Sequence, residues 1–360
     1  MPELSDCQII AEAGVNHNGS VKMAMELIDV AAKAGADVVK FQTFATDRLV
    51  TRSAPKAKYQ VTNTGDDGSQ RAMLQALELD RDAHLKLMAH CSRRGIEFLS
   101  TPFDELSLAF LDSELGVTQL KLGSGELTNA PLLLAAGRTG KSVILSTGMG
   151  TMAEVEMALG PLALGLIKPQ EEPSPSAFIE AANSCEGMAA LREKVTLLHC
   201  TTSYPTPAED ANLRAITTMR ERFGMPVGFS DHTEGIYLAL AAVGLGACVI
   251  EKHITLDRSL PGPDHRASIE PDELKSLVLG IRTIQAGLGS GEKLPGPSEV
   301  ANIGVARKSL VAIAPIRAGE LFTLANIGAK RPGDGLSPFE LWDKLGGRAE
   351  RNYDADEQIQ

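Results

Sequence analysis

What most constrains the fold of this chain is a unit that recurs eight times: a short apolar strand, a polar turn and a helix. Cys7 to Ala13 reads as a buried strand carrying Glu12. Ser20 in the loop behind it can cap the helix Val21 to Lys33, which stops at Gly35. Further strands follow at Asp37 to Thr43, Glu97 to Ser100, Thr118 to Leu122, Ser142 to Leu145, Val195 to His199, Pro226 to Phe229 and Cys248 to Ile250. The last helix is Pro271 to Leu288, so residues 1–288 predict one (β/α)8 TIM barrel; a doubly wound sheet needs fewer units. Residues 45–79 read as a polar loop too long for an ordinary connection, of the kind that forms lids. Lys168 to Ser176, rich in Pro, Glu and Ser, reads as a solvated excursion. Residues 289–297 (GSGEKLPGP) read as a linker, and 298–360, short apolar runs broken by Gly and Pro, as a small domain of turns and strands.

Charge and composition narrow the function. A formal net charge of -11 and a pI near 5.2 argue against nucleic acid or an anionic membrane as partner, because both reward clustered Lys and Arg. The five cysteines are scattered without CxxC spacing, which suits buried thiols in a reducing compartment. The first eight residues lack the basic start and apolar core of a signal peptide. The most apolar run, Ile236 to Ile250, is broken by glycines and is shorter than the roughly 20 residues of a membrane span. The expectation is a cytoplasmic protein.

In a parallel barrel every strand ends at the same face, so polar residues scattered along the chain converge there. Two consecutive strands end in histidine, His232 and His253. Paired imidazoles at adjacent strand ends form a metal site, for which Asp231, Glu251, Asp257 and Asp264 could supply oxygen ligands or supporting hydrogen bonds. The alternative is that both histidines only hydrogen-bond at the barrel mouth. Other strand ends bring Glu12, Lys40, Gln42, Thr101, Lys121, Ser124, Glu126, Ser146, Thr147, Thr202, Tyr204, Ser230 and Lys252. Lysines, hydroxyls and glycine-flanked turns are what a phosphate or carboxylate requires: fixed positive charge, neutral donors and exposed backbone N–H groups. The plainer reading of Lys40 and Lys121 is an ion pair with Glu12 or Glu126.

These residues sit in runs that closely resemble the sialic acid synthase family: IIAEAGVNHNGS, DVVKFQTF, LSTPFD, KLGSGELTN, ILSTGMG, LLHCTTSYPTP, GFSDHTEG, IEKHITLDRSLPGPDH and ARKSLVA. They occur in order over nearly the whole chain. The resemblance implies condensation of phosphoenolpyruvate with an N-acylated aminosugar to a nonulosonic acid, N-acetylneuraminate or N,N'-diacetyllegionaminate, with loss of phosphate. It also implies a C-terminal antifreeze-like SAF domain exchanged across a homodimer.

Matched residue by residue, the resemblance implies that Lys121, Ser124, Ser146 and Thr101 grip the phosphate, and Lys40 and Ser230 the carboxylate. Some members carry an asparagine in the turn Thr201 to Tyr204 as a phosphate or substrate contact; here a threonine hydroxyl, that of Thr202, is expected to replace it. A divalent ion, Mn2+ or Mg2+, would lie on His232 and His253. Gln42, Tyr204, Asp264 and Arg331 of the partner subunit would contact the sugar, and Glu12 or Glu126 would orient the attacking water. The substituents of the sugar are expected to be read by the 45–79 loop and the exchanged domain. Two other readings use the same residues: a Schiff-base keto-acid aldolase or lyase working through Lys121 or Lys40, and a non-catalytic sugar-binding homologue.

Overall fold

The computed structural model describes residues 7–65 and 68–360. The chain divides into two compact units, one running to Gly289 and one from Ser290 to Gln360. The first begins with β1 (Gln8–Gly14), α1 (Val21–Ala34) and β2 (Val38–Thr43), followed by three short helices, α2 (Thr46–Leu49), α3 (Lys58–Thr64) and α4 (Gln70–Leu77). It continues with α5 (Arg81–Arg94), β3 (Glu97–Pro102), α6 (Glu105–Ala109) running into a π-helical turn, β4 (Gln119–Leu122), α7 (Ala130–Arg138), β5 (Ser142–Ser146) and α8 (Met152–Ile167). Then come α9 (Pro175–Asn183), α10 (Cys185–Lys194), β6 (Val195–Cys200), α11 (Arg214–Phe223), β7 (Val227–Asp231), α12 (Tyr237–Gly244), β8 (Val249–His253) and α13 (Pro271–Leu288).

All eight strands are parallel in the order β3-β2-β1-β8-β7-β6-β5-β4, and β3 and β4 lie side by side at the one seam. This is the TIM barrel expected from the repeat. Helix ends follow local chemistry: Ser20 Oγ accepts from the Met23 N–H at 3.3 Å, and Gly35 closes α1 at φ 83°, where a side chain would be strained. The last helix is tied to the first strand by Arg282, which donates to the Cys7 carbonyl at 2.7 Å and to both Asp37 oxygens, while Asp37 accepts from the Ile9 N–H at 2.7 Å.

The structure departs from the sequence reading in two connections. The 45–79 segment is not an open loop but carries α2, α3 and α4. Its apolar residues are too short a run for a periodicity argument and are buried only by tertiary contact. Residues 168–174 are the solvated stretch foreseen, but α9 and α10 behind them lie within a region given no helix from sequence. No helix among the described residues is long and apolar enough to cross a membrane, and all five cysteines are free.

The second unit contains α14 (Pro297–Ala306), β9 (Ser309–Ala312), β10 (Ile327–Lys330) and α15 (Leu341–Lys344). β9 and β10 pair antiparallel, and isolated bridges such as Ile316 with Tyr353 extend the pattern. Its core is Leu310, Ala312, Ile316, Phe322, Ile327, Ala349, Tyr353 and Ile359.

Inside the barrel, Ile10, Val38, Leu99, Ile144, Leu198 and Val249 form an apolar cluster separate from the main core between strands and helices. β7 offers Gly228 at this level, where a Cβ would stand 2.5 Å from the Val249 carbonyl oxygen and 2.6 Å from Leu198 Cδ2. The space is already filled. Gly228→Val should therefore destabilise the protein by about 1–3 kcal/mol through overpacking, read as a lower urea midpoint; an unchanged midpoint would show that the interior has room.

Candidate active site

Side chains on one face of a strand repeat every second residue, so the residue two positions after each interior aliphatic also points inward, nearer the strand's C-terminal end. Ile10 is followed in this way by Glu12, Val38 by Lys40, Leu99 by Thr101, Ile144 by Ser146, Leu198 by Cys200, Gly228 by Ser230 and Val249 by Glu251. Taking two more steps adds Gln42, His232 and His253. These residues, with Lys121, Ser124, Thr202, Tyr204 and Asp264, line one cavity of about 290 Å3.

A buried charge network forms its floor. Lys40 Nζ lies 2.8 Å from Glu12 Oε2 and 3.6 Å from Glu251 Oε2, and donates to Thr101 Oγ1 at 3.2 Å. Lys121 Nζ lies 3.6 Å from Glu251 Oε1 and donates to Ser146 Oγ at 2.7 Å. Ser230 Oγ donates to Glu251 Oε1 at 2.9 Å. Burial pushes the Glu251 carboxyl up, but Lys121 and Lys40 outweigh it and hold the group at about 2, ionised. Burial dominates at Glu12 and raises it to about 7 despite Lys40. For Lys40, burial is outweighed by the two carboxylates and its pKa rises. Lys121 shifts downward, through burial first, against the pull of Glu251.

The two imidazoles line the same cavity, with ring centroids 5.5 Å apart. His232 Nδ1 is 2.7 Å from the Thr201 carbonyl, which requires a proton on Nδ1 and leaves Nε2 with its lone pair. That nitrogen is 3.3 Å from Ser230 Oγ, whose one hydrogen goes to Glu251. His253 Nδ1 is buried with no hydrogen-bond partner, 3.9 Å from Asp264 Oδ2. Burial lowers both histidine pKa values, that of His253 well below normal, so both rings are neutral at pH 7. Burial raises Asp264 to about 6. Tyr204 packs on both imidazoles, at 4.2 and 5.6 Å between centroids.

Several residues named from sequence lie elsewhere. Glu126 is outside the cavity lining; its Oε2 accepts from Asn129 Nδ2 at 2.6 Å. Asp231 and Lys252 alternate with the inward residues and form a buried ion pair of their own, at 2.8 Å. Asp257 caps an exposed turn by accepting from the N–H and Oγ of Ser259, and Thr147 Oγ1 donates to the Leu198 carbonyl. Arg331 belongs to the second unit, where its Nε donates to the Ala306 carbonyl at 3.0 Å. For Lys40 the ion pair with Glu12 and a place in the cavity are both true.

Glu251 is the central residue that sequence reading named only as a possible oxygen donor; the alternation Val249, Glu251, His253 was the available signal. The other side of the cavity comes from the 45–79 segment: Leu49, Val50, Tyr59, Gln60, Met73 and Leu74 among others. No local signal marks these residues. Because Glu251 balances both lysines, Glu251→Ala should cost about 3–5 kcal/mol of stability by leaving buried charge uncompensated, measured by urea unfolding; a loss below about 1 kcal/mol would place the lysines in contact with water.

Residues 27–293 match the NeuB family and residues 307–360 the SAF domain. The chain is 47% identical to the N,N'-diacetyllegionaminic acid synthase of Campylobacter jejuni, over 98% of either chain. It is 44% identical to the protein of the same name from Legionella pneumophila, over 97% of this chain and 92% of that one. The N-acetylneuraminic acid (sialic acid) synthetase of Leptospira borgpetersenii, crystallised with citrate, matches with a TM-score of 0.67 and 34% identity over 83% of this chain and 90% of that one. With nearly all of its length matched at this identity, the protein belongs to the NeuB family, the sialic acid synthases whose strand-end runs it carries, and bears a C-terminal SAF domain.

Proposed function

We propose that this protein condenses phosphoenolpyruvate with an open-chain N-acylated mannosamine-type sugar to a nine-carbon 2-keto acid, and that the product is N,N'-diacetyllegionaminate. The observation that carries this reading is a single cavity lined by two chemically distinct donor sets. Lys121, Ser146, Ser124 and Thr101 are donors suited to a phosphate, and two neutral imidazoles line the same cavity. The names of the relatives at 47% and 44% identity favour the legionaminate product over N-acetylneuraminate.

In this mechanism the phosphate takes over the contacts that Lys121 now makes with Ser146 and Glu251, and the carboxylate is held by Lys40 and Ser230. Thr202, beside the same turn, adds a hydroxyl. Gln42, Tyr204 and Asp264 orient the sugar so that its aldehyde carbon meets C3 of phosphoenolpyruvate. The new C–C bond forms between those atoms, and the aldehyde oxygen gains a proton. Positive charge develops at C2, which water attacks. Glu12, with its pKa near neutrality, accepts the proton of that water. The adduct collapses by C2–O cleavage, and phosphate leaves with the bridging oxygen.

The donor set fits a divalent ion in an open site. His232 offers Nε2, and His253 has a buried nitrogen without a partner. Among the described residues no group of three or more His, Cys, Asp or Glu is placed to hold a metal ion, so the two imidazoles are the protein donors that would hold one. Held by His232 and His253, Mn2+ or Mg2+ would supply Lewis acidity at the aldehyde oxygen, and imidazole donors favour Mn2+. Lys40, kept protonated by its carboxylates, is a poor Schiff-base nucleophile. The SAF domain is exchanged in a homodimer, so that Arg331 of the partner subunit contacts the sugar.

Phosphate release should be fastest with 2,4-diacetamido-2,4,6-trideoxymannose and stop on chelation of divalent metal, with 18O from the bridging position of phosphoenolpyruvate recovered in phosphate. Label left in the keto acid would overturn C–O cleavage. Lys121→Ala and Arg331→Ala should each be nearly inactive and regain activity when unfolded and refolded together, because mixed dimers restore one complete site. Failure to complement, with mixed dimers verified by mass, would place Arg331 in its own subunit's chemistry or outside it.

A further inference from the structure

The cavity has a polar floor and an apolar side. Leu49, Val50, Met73, Leu74 and Leu77 all line it, and all come from α2, α4 and the residue after α2. Leu74 and Leu77 are anchored in a small core with Val15 and Phe44, whereas Leu49, Val50 and Met73 are half-buried, leaving apolar surface open to the cavity.

This side is built into the fold. Its base is clipped by Glu78, whose Oε2 accepts from the N–H and Oγ1 of Thr46 at 2.9 and 2.7 Å, and by an Arg71–Asp47 ion pair. Its tip is tied down by Asn63, which donates to the Pro263 carbonyl at 2.6 Å, and by Tyr59, whose ring packs on Tyr204 at 5.0 Å. The segment therefore forms a fixed wall above the charged floor.

Phosphoenolpyruvate is matched by the floor and has no apolar group large enough to need such a wall. A terminal hydroxyl of the aminosugar placed against these five apolar side chains would be buried without a hydrogen-bond partner. A sugar ending in a methyl group would instead gain by transfer from water. Resting on the synthase reading, we propose that Leu49, Val50, Met73, Leu74 and Leu77 form a subsite for the methyl-bearing end of the aminosugar and select substrates deoxygenated at C6. The selection acts through the lack of any partner for a 6-hydroxyl on those five side chains, while Tyr59, Gln60 and Gln70 of the same segment line the cavity beside them.

The test compares N-acetylmannosamine with 2-acetamido-2,6-dideoxymannose, which differ by one hydroxyl at C6. Two quantities are read for each: kcat/KM for phosphate release, and the Kd of the corresponding open-chain alditol with and without phosphoenolpyruvate. The wild-type protein should prefer the 6-deoxy compound by about 10- to 100-fold, the range an apolar pocket achieves against an added hydroxyl. Leu49→Ser and Met73→Ser should each shrink that ratio by about fivefold or more, since each provides a partner for the hydroxyl. Leu49→Met, apolar and of similar volume, should retain it. Being a ratio of two ligands on one protein, the readout is insensitive to a general loss of stability. A wild-type ratio near one, or a ratio unmoved in both serine variants, overturns the proposal. Absence of phosphate release with both of these sugars and with 2,4-diacetamido-2,4,6-trideoxymannose would remove the synthase reading, and the alditol ratio would still decide the role of the wall.

Discussion

Two lysines and two glutamates buried at the C-terminal end of the barrel are the constraint around which the site is arranged. Lys40 and Lys121 are 3% and 2% exposed; Glu251 stands between them and Glu12 closes on Lys40. Such a network is expensive to desolvate and tolerable only when every member is paired. The barrel supplies the pairing through register: β1 and β2 align Glu12 with Lys40, and β8 brings Glu251 in from the other side of β1. The aliphatic layer beneath excludes water from below, and Gly228 leaves room for that layer to close.

The same network separates two carboxylates of similar chemistry into different roles. Glu251 faces both lysines and stays ionised, acting as a fixed counter-charge. Glu12 has one close lysine and a full desolvation penalty, so its proton is exchangeable near neutral pH. Two imidazoles of the same cavity have lowered pKa values, His232 through burial and His253 through burial and then the neighbouring His232. An anion entering between the lysines meets donors already oriented by Ser146 and Thr101, which lowers the reorganisation that binding and turnover require.

Above this floor, the 45–79 segment adds chemistry that the strands do not carry. A strand end presents one or two side chains at a fixed height, whereas three short helices clipped at both ends present a broad aliphatic surface. The polar floor suits the part of the reaction common to all phosphoenolpyruvate-dependent condensations, and the wall suits the part that differs from sugar to sugar.

The barrel was legible because strand and helix periodicities are local, and eight alternations leave little choice of architecture. Most of the cavity was legible for a related reason: Lys40, Lys121, Ser146, Ser230, His232 and His253 follow from parallel strands ending at one face. Alternation along a strand could have separated Glu251 and His253 from Lys252, but proximity in sequence grouped them. Helices α2, α3 and α4, the wall they form and the placement of Glu126 away from the cavity were decided only by tertiary structure. Their side-chain contacts join residues as far apart as Asn63 and Pro263, and no pattern within either segment encodes where the other will lie. The sequence by itself determined which residues reach the mouth of the barrel; the packing of distant segments decided which of them face one another there, because burial and pairing are properties of the assembled site.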